Sequence, residues 1–131
     1  MKILGIQEEH DRSGFELFLQ KVSDKLAAAI CKKFQAYAEL NDLYQCNSLK
    51  VLNPRIWRYK GTIYKLRVDC GKESARVLFS KTADNDIVLL HGFIKKTRKT
   101  PAKDAKIAMA NFERLKNHAA VSPLPLARYL A

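Results

Sequence analysis

Cysteine is scarce in this sequence, and the few present are scattered. Cys31, Cys46 and Cys70 are an odd number, lie far apart and form no C-x-x-C. That argues against a disulfide framework or a zinc knuckle and leads us to expect a reducing, cytoplasmic setting. Long apolar runs are missing too. The longest, Leu26 to Cys31, falls far short of the ~20 residues that a membrane span needs. The opening Met1-Lys2-Ile3-Leu4-Gly5-Ile6-Gln7 has too short an apolar segment for a signal peptide, so no membrane partner is expected. No H-x-E pattern is present, and only 5 acidic residues fall between positions 55 and 106. That is a poor supply for the oxygen cage magnesium requires, so neither a metal nor a cofactor is expected. Internal repeats and low-complexity runs are also lacking.

What the chain has in excess is positive charge, unevenly placed. It carries 24 Lys and Arg against 13 Asp and Glu. Residues 1–54 hold 7 basic and 7 acidic side chains, whereas residues 55–106 hold 14 and 5, a net of +9. Charge kept for solubility alone has no reason to avoid the first 54 residues. A basic half of this kind is suited to meeting a polyanion. With 131 residues, 47% of them hydrophobic, one domain spanning 1–131 is expected, able to bury a core without staples.

Periodicity then divides the chain. Lys2 to Ile6 fits a short strand. Ser13, with Glu16 three residues on, forms a capping box. Phe15, Phe18, Leu19, Val22, Leu26, Ala29, Ile30, Phe34, Tyr37 and Leu40 follow at three- and four-residue steps, the stripe of an amphipathic helix. The aromatics on that stripe read as core rather than as a ligand box. Ser23-Asp24 can cap a second helix, so one long helix or a helical hairpin fits. With no Gly or Pro in residues 15–52, the helical region is expected to end at Asn53-Pro54. A strand at Arg55–Tyr59, turning at Lys60-Gly61, is expected next. Strands at Thr62–Asp69, Arg76–Ser80 and Ile87–Phe93 follow, joined by turns at Cys70–Glu73 and Ala83–Asn85 that imply antiparallel neighbours. The nearly continuous apolar content of Ile87–Phe93 predicts a central strand. Pro101 opens a last helix with Ile107, Ala110, Asn111 and Leu115 on its face, and the tail 118–131 is expected to be irregular. The fold class is α+β: N-terminal helices packed on a small, mainly antiparallel sheet, with a C-terminal helix.

Alternation also sorts the cations. Tyr64, Leu66 and Val68 share one sheet face, and Lys65, Arg67 and Asp69 the other. If Val77 and Phe79 join the apolar set, Arg76 projects beside Lys65 and Arg67. Like charges side by side are costly unless an anion fills the space. Lys95, Lys96, Arg98 and Lys99 then enter from the end of the third strand and can close the patch from one side. Trp57 and Tyr59 flank Arg58; either can stack on a base, or Trp57 can pack beneath the helices. His91 has a side chain suited to proton transfer, but in an apolar strand it also fits a structural role.

The runs Thr62-Ile63-Tyr64-Lys65-Leu66-Arg67, Ala75-Arg76-Val77-Leu78-Phe79 and Ile87-Val88-Leu89-Leu90-His91-Gly92-Phe93-Ile94-Lys95-Lys96-Thr97, with Lys99-Thr100-Pro101 and Ala108, resemble the RelE/HigB toxin superfamily, in its phage-derived HigB-like branch. The resemblance covers about residues 50–116 and fits a RelE/ParE-like fold. It implies the toxin of a type II toxin–antitoxin system, a cytoplasmic endoribonuclease that cuts mRNA on the ribosome without a metal. The RNA 2′-hydroxyl would attack the adjacent phosphate. A helix-turn-helix antitoxin would be the protein partner. Carried over by position, Arg76 stabilises the transition state, Lys65 is the candidate base, and Lys95 and Lys96 hold phosphate or donate the proton. Arg67, Arg98 and Lys99 bind RNA, and Arg67 can alternatively pair with an acidic residue. His91 and Trp57 are further candidates. Some relatives carry a tyrosine near the start of the last helix; here that region reads Pro101-Ala102-Lys103-Asp104. A non-catalytic relic that binds RNA, ribosome or antitoxin, and a ParE-like gyrase poison, are the alternatives on the same fold.

Overall fold

The apolar stripe of the first half folds as two helices. In the computed structural model, which describes residues 1–8, 14–40, 49–96 and 98–130, α1 spans Gly14–Lys21 and α2 spans Asp24–Leu40. Between them, Ser23 Oγ accepts the Leu26 amide at 3.2 Å and donates to Glu73 Oε1 at 2.6 Å. This N-cap satisfies an orphan amide and restarts the helix. The Ser13 end of the expected capping box lies outside the described residues.

Six strands form one sheet in the order β2-β3-β4-β5-β1-β6. They are β1 (Ile3–Ile6), β2 (Leu49–Val51), β3 (Tyr64–Cys70), β4 (Glu73–Lys81), β5 (Ile87–Ile94) and β6 (Val121–Pro123). β1 runs parallel to β5, and the other neighbours are antiparallel. The β3–β4 hairpin closes on Gly71-Lys72, with Gly71 in the left-handed region at φ 60. This is the α+β class that the pattern predicts, with β5 inside the sheet as expected.

Four expectations are corrected. Residues 49–51 extend as β2 rather than continuing a helix to Asn53. Residues 54–57 form a short helix, α3 (Pro54–Trp57), where a strand was expected. Asn53-Pro54 starts this helix: Asn53 Oδ1 accepts the Arg55 and Ile56 amides at 2.9 and 3.4 Å, and Pro54 takes the first turn, where its missing N–H costs nothing. Part of the tail is regular, because β6 pairs with the outer side of β1 and a 3-10 turn follows at Leu126–Tyr129. The last helix, α4 (Ala102–Lys116), buries Ala105, Ala108 and Phe112, while Ala110 is exposed. The alanines let the helix lie close to the sheet.

Two apolar layers sandwich the sheet. On the first face, Phe15 and Leu19 of α1 and Leu26, Ile30, Phe34 and Tyr37 of α2 pack on Leu66, Val68, Ala75, Val77 and Phe79. The helical aromatics are therefore core, as expected. On the second face, Ala105, Ala108 and Phe112 of α4 pack on Leu4, Ile6, Leu78, Val88, Leu90 and Phe93. A bulge in β5 connects the layers. Phe79 pairs with Leu89 but Leu78 pairs with His91, so Leu90 is the extra residue. The bulge reverses the alternation, placing His91 and Phe93 on the α4 face. The Leu90 carbonyl is taken by Asn111 Nδ2 at 2.8 Å.

The reversal also turns Gly92 toward α1. A Cβ there would meet the Phe18 ring at 2.5 Å and the Phe15 ring at 3.0 Å. We expect Gly92→Ala to destabilise the fold by about 1–3 kcal/mol through overpacking, measured as a lowered urea midpoint. An unchanged midpoint would mean that the two rings yield freely.

Candidate nucleic-acid interface

α4 roofs only part of its sheet face. It packs over β5 and β4, and on the β2–β3 side Lys50 and Arg67 are exposed among the described residues. On that open side the residues fall in rows set by register. Lys50 pairs with Lys65, Lys65 with Leu78, and Leu78 with His91. In the next row Arg67 lies directly opposite Arg76, which lies opposite Phe93. Lys65, Arg67 and Arg76 thus share one face, as the alternation predicts.

Lys50, Arg67, Arg76, Lys95, Lys96 and Arg98 line an open basin of about 530 Å³. Lys65 sits half-buried beside it, its Nζ donating to Thr100 Oγ1 at 3.1 Å. Lys95 is tied in from the loop after β5, with its Nζ donating to the Arg98 carbonyl at 2.9 Å. No carboxylate of the described residues lies within ion-pair distance of Lys65 or Arg76. Arg67 does pair with an acid, its Nε donating to Asp69 Oδ2 at 2.8 Å.

This crowding of charge shows in the protonation equilibria. Burial, then the charges of Lys50 and Arg76, push the Lys65 ammonium below the usual lysine value. Lys95 is pushed down by desolvation, then by Arg76, Lys65, Lys50 and Arg67. Arg76 is lowered by desolvation and by Arg67, with Asp69 acting in opposition. Asp69 is held below the ordinary carboxylate value by the Ser74 hydroxyl, which outweighs desolvation with help from Arg67 and Arg76. The basin is thus a cationic surface whose members disfavour one another's charge, and an anion seated in it relieves them all.

The remaining candidates lie elsewhere. His91 Nε2 is 2.7 Å from Asp104 Oδ1, both side chains less than one fifth exposed, and the ring stacks on Phe93 at 6.0 Å. The contact fastens the start of α4 to β5. Trp57 lies outside the basin, in a separate concavity with Arg58, Tyr59, Lys60, Met109, Glu113 and Lys116, and packs partly against the α4 core. Lys99 is exposed and is not among the lining residues.

Three participants, Lys50, Thr100 and Ser74, escape sequence reading, whereas the alternation already places Asp69 beside Arg67. Lys50 arrives on a three-residue strand too short to show a period, and Thr100 reaches Lys65 across 35 positions of chain. Asp69 and Ser74 meet only when the hairpin closes, Ser74 Oγ donating to Asp69 Oδ1 at 2.6 Å.

For metals, no group of three His, Cys, Asp or Glu side chains gathers among the described residues. Asp84 and Asp86 sit at the β4–β5 turn, where Asp86 Oδ1 accepts the Lys2 amide at 2.8 Å. Cys31 is buried, its thiol pushed up to about 11 by desolvation, which makes it a packing residue rather than a nucleophile. Among the described residues no helix is long and apolar enough to cross a membrane.

Residues 18–113 match the model of a family described as phage derived protein Gp49-like (DUF891). The matched segment contains every residue that lines the basin. No curated protein matches the chain.

Proposed function

The chain belongs to the phage-derived Gp49-like family, which is associated with the toxins of toxin–antitoxin systems, and on that premise we propose that it is a type II toxin of the RelE/HigB kind that cuts mRNA on the ribosome. A single observation carries the nuclease reading: Arg67 and Arg76 stand directly opposite each other with Lys65 one step along, on the sheet half that α4 leaves open. A protein-binding toxin has no need of phosphate-aimed guanidinium groups on an open sheet.

The chemistry follows from the placement. A phosphodiester seated between Arg67 and Arg76 has its negative charge met by two forked donors. Lys65, in its amine form, takes the proton from the 2′-hydroxyl as that oxygen attacks phosphorus. The bond from phosphorus to the 5′-oxygen breaks, and the departing oxygen takes a proton from the Lys95 or Lys96 ammonium. The products are a 2′,3′-cyclic phosphate and a 5′-hydroxyl. Arg76 stabilises the extra charge on the phosphorane between these states. Half-buried beside a basin already positive, Lys65 reaches its amine form at lower cost.

The test is a translated reporter RNA incubated with the purified chain, with ribosomes at the magnesium concentration that keeps them intact and, in a second arm, without ribosomes in excess EDTA. Cleavage with cyclic-phosphate ends is expected. RNA binding without cleavage in either arm would leave only the non-catalytic alternative. Binding should also be strongly salt-dependent. If four of the six lining cations engage phosphates, affinity for single-stranded RNA falls about 50-fold between 50 and 200 mM salt. A flat salt titration would remove the basin from the interface.

A further inference from the structure

Two arginines facing each other across a hairpin should repel and swing apart. Here they are tied into one short chain of hydrogen bonds. Arg67 Nε donates to Asp69 Oδ2 at 2.8 Å, and Ser74 Oγ donates to Asp69 Oδ1 at 2.6 Å. Arg76 Nη1 donates to Ser74 Oγ at 2.8 Å and to the Ala75 carbonyl at 3.0 Å.

The direction of the chain is fixed by what each group can do. An ionised carboxylate only accepts, so the single hydroxyl proton of Ser74 must go to Asp69. The Ser74 lone pairs are then left to accept from Arg76. Both protons of Arg76 Nη1 are thereby used, one on Ser74 and one on Ala75. Among the described residues its Nε and Nη2 protons have no partner and remain for the basin that Arg76 lines, as do the Nη protons of Arg67. The ion pair of Arg67 with Asp69 is more than 40% exposed on both sides, so it is worth little as a stabilising contact. What it supplies is orientation.

We propose that Asp69 and Ser74 are positioning residues that hold Arg67 and Arg76 as a preformed two-guanidinium clamp for one RNA phosphate. This rests on the nuclease reading above for its substrate, but not for its geometry. The clamp would act by presenting donors already aligned, so that little freedom is lost when the phosphate arrives.

Two measurements on the full chain decide it. Nitrogen NMR of the arginine side chains reports rotation about the Cζ–Nη bonds. Arg76 should rotate slowly in the wild type, quickly in Ser74→Ala, and slowly again in Ser74→Thr, which keeps the hydroxyl. Should Ser74→Ala fail to fold, Asp69→Ala at a half-exposed position, which removes the acceptor that takes the Ser74 hydroxyl proton, makes the same test. An Arg76 equally slow without Ser74 or Asp69 overturns the proposal, whatever happens to RNA. In the cleavage assay Ser74→Ala should lower kcat about tenfold to a hundredfold with KM little changed, and Ser74→Thr should recover most of it. A change confined to Tm, with kcat and KM intact, overturns a positioning role. If the wild type binds RNA without cutting it, the nuclease reading fails, and the NMR result still decides whether the clamp exists.

Discussion

Arg76→Ala should lower the RNA cleavage rate about 10²–10³-fold, the usual cost of removing one preorganised donor aimed at developing charge. The expectation rests on position. Arg76 lies on β4 opposite both Arg67 and Phe93, half-buried, with no carboxylate of the described residues within ion-pair distance. Its guanidinium charge is disfavoured by burial and by Arg67, so a phosphate that gathers charge in the transition state meets a donor already held in place. The fold should tolerate the change, because the side chain contributes to neither apolar core. Inducing the chain without an antitoxin should arrest growth, and the substitution should relieve the arrest. Arg76→Lys should recover only part of the rate, since an ammonium keeps the charge but lacks the planar fork. Toxicity that persists undiminished in Arg76→Ala would remove this residue from the mechanism.

Lys65→Arg should cost about 10²–10⁴-fold, the range that general acid–base catalysis contributes, with RNA affinity largely kept. Arginine preserves the positive charge but cannot give up its proton near neutral pH. The pH dependence carries the sharper test. Below the Lys65 pKa each unit of pH raises the amine fraction tenfold, so the rate should climb with pH and fall again once the proton donor, Lys95 or Lys96, loses its ammonium form. The rising limb should bend below the usual lysine value of 10.5, because desolvation, Lys50 and Arg76 all disfavour the ammonium. Lys50→Met removes one of those charges. The Lys65 pKa then rises and the whole curve moves to higher pH. A curve that stays in place in Lys50→Met, or a normal pH profile in Lys65→Arg, would show that another group takes the proton.

Much of the fold was readable because it is local. The α1–α2 stripe, the β3–β4 alternation and the Pro101 helix start each follow from the spacing of neighbouring residues. Misreadings occurred where one local signal serves two purposes. Asn53-Pro54 reads as a helix stop when the preceding residues are assumed helical, yet Asn53 is an N-cap and Pro54 a first-turn residue. β6 has only three residues, and its pairing exists because β1 offers an open side. The β5 bulge also has no local signature, since Leu89-Leu90-His91 reads as plain strand.

The amino-acid order alone put Lys65 and Arg67 on one face, and Arg76 with them once Val77 and Phe79 face the core, which the hairpin register bears out. It also decided the sign of that surface, through the concentration of cations after residue 54. Only the packed molecule decided which part of that face stays open. α4 settles on β5 and β4, while Lys50 and Arg67 on β2 and β3 stay exposed; Lys50 comes in from a distant strand; Thr100 folds back onto Lys65. Those outcomes depend on strand order and on contacts between residues far apart in the chain, and no periodicity within a single segment encodes them.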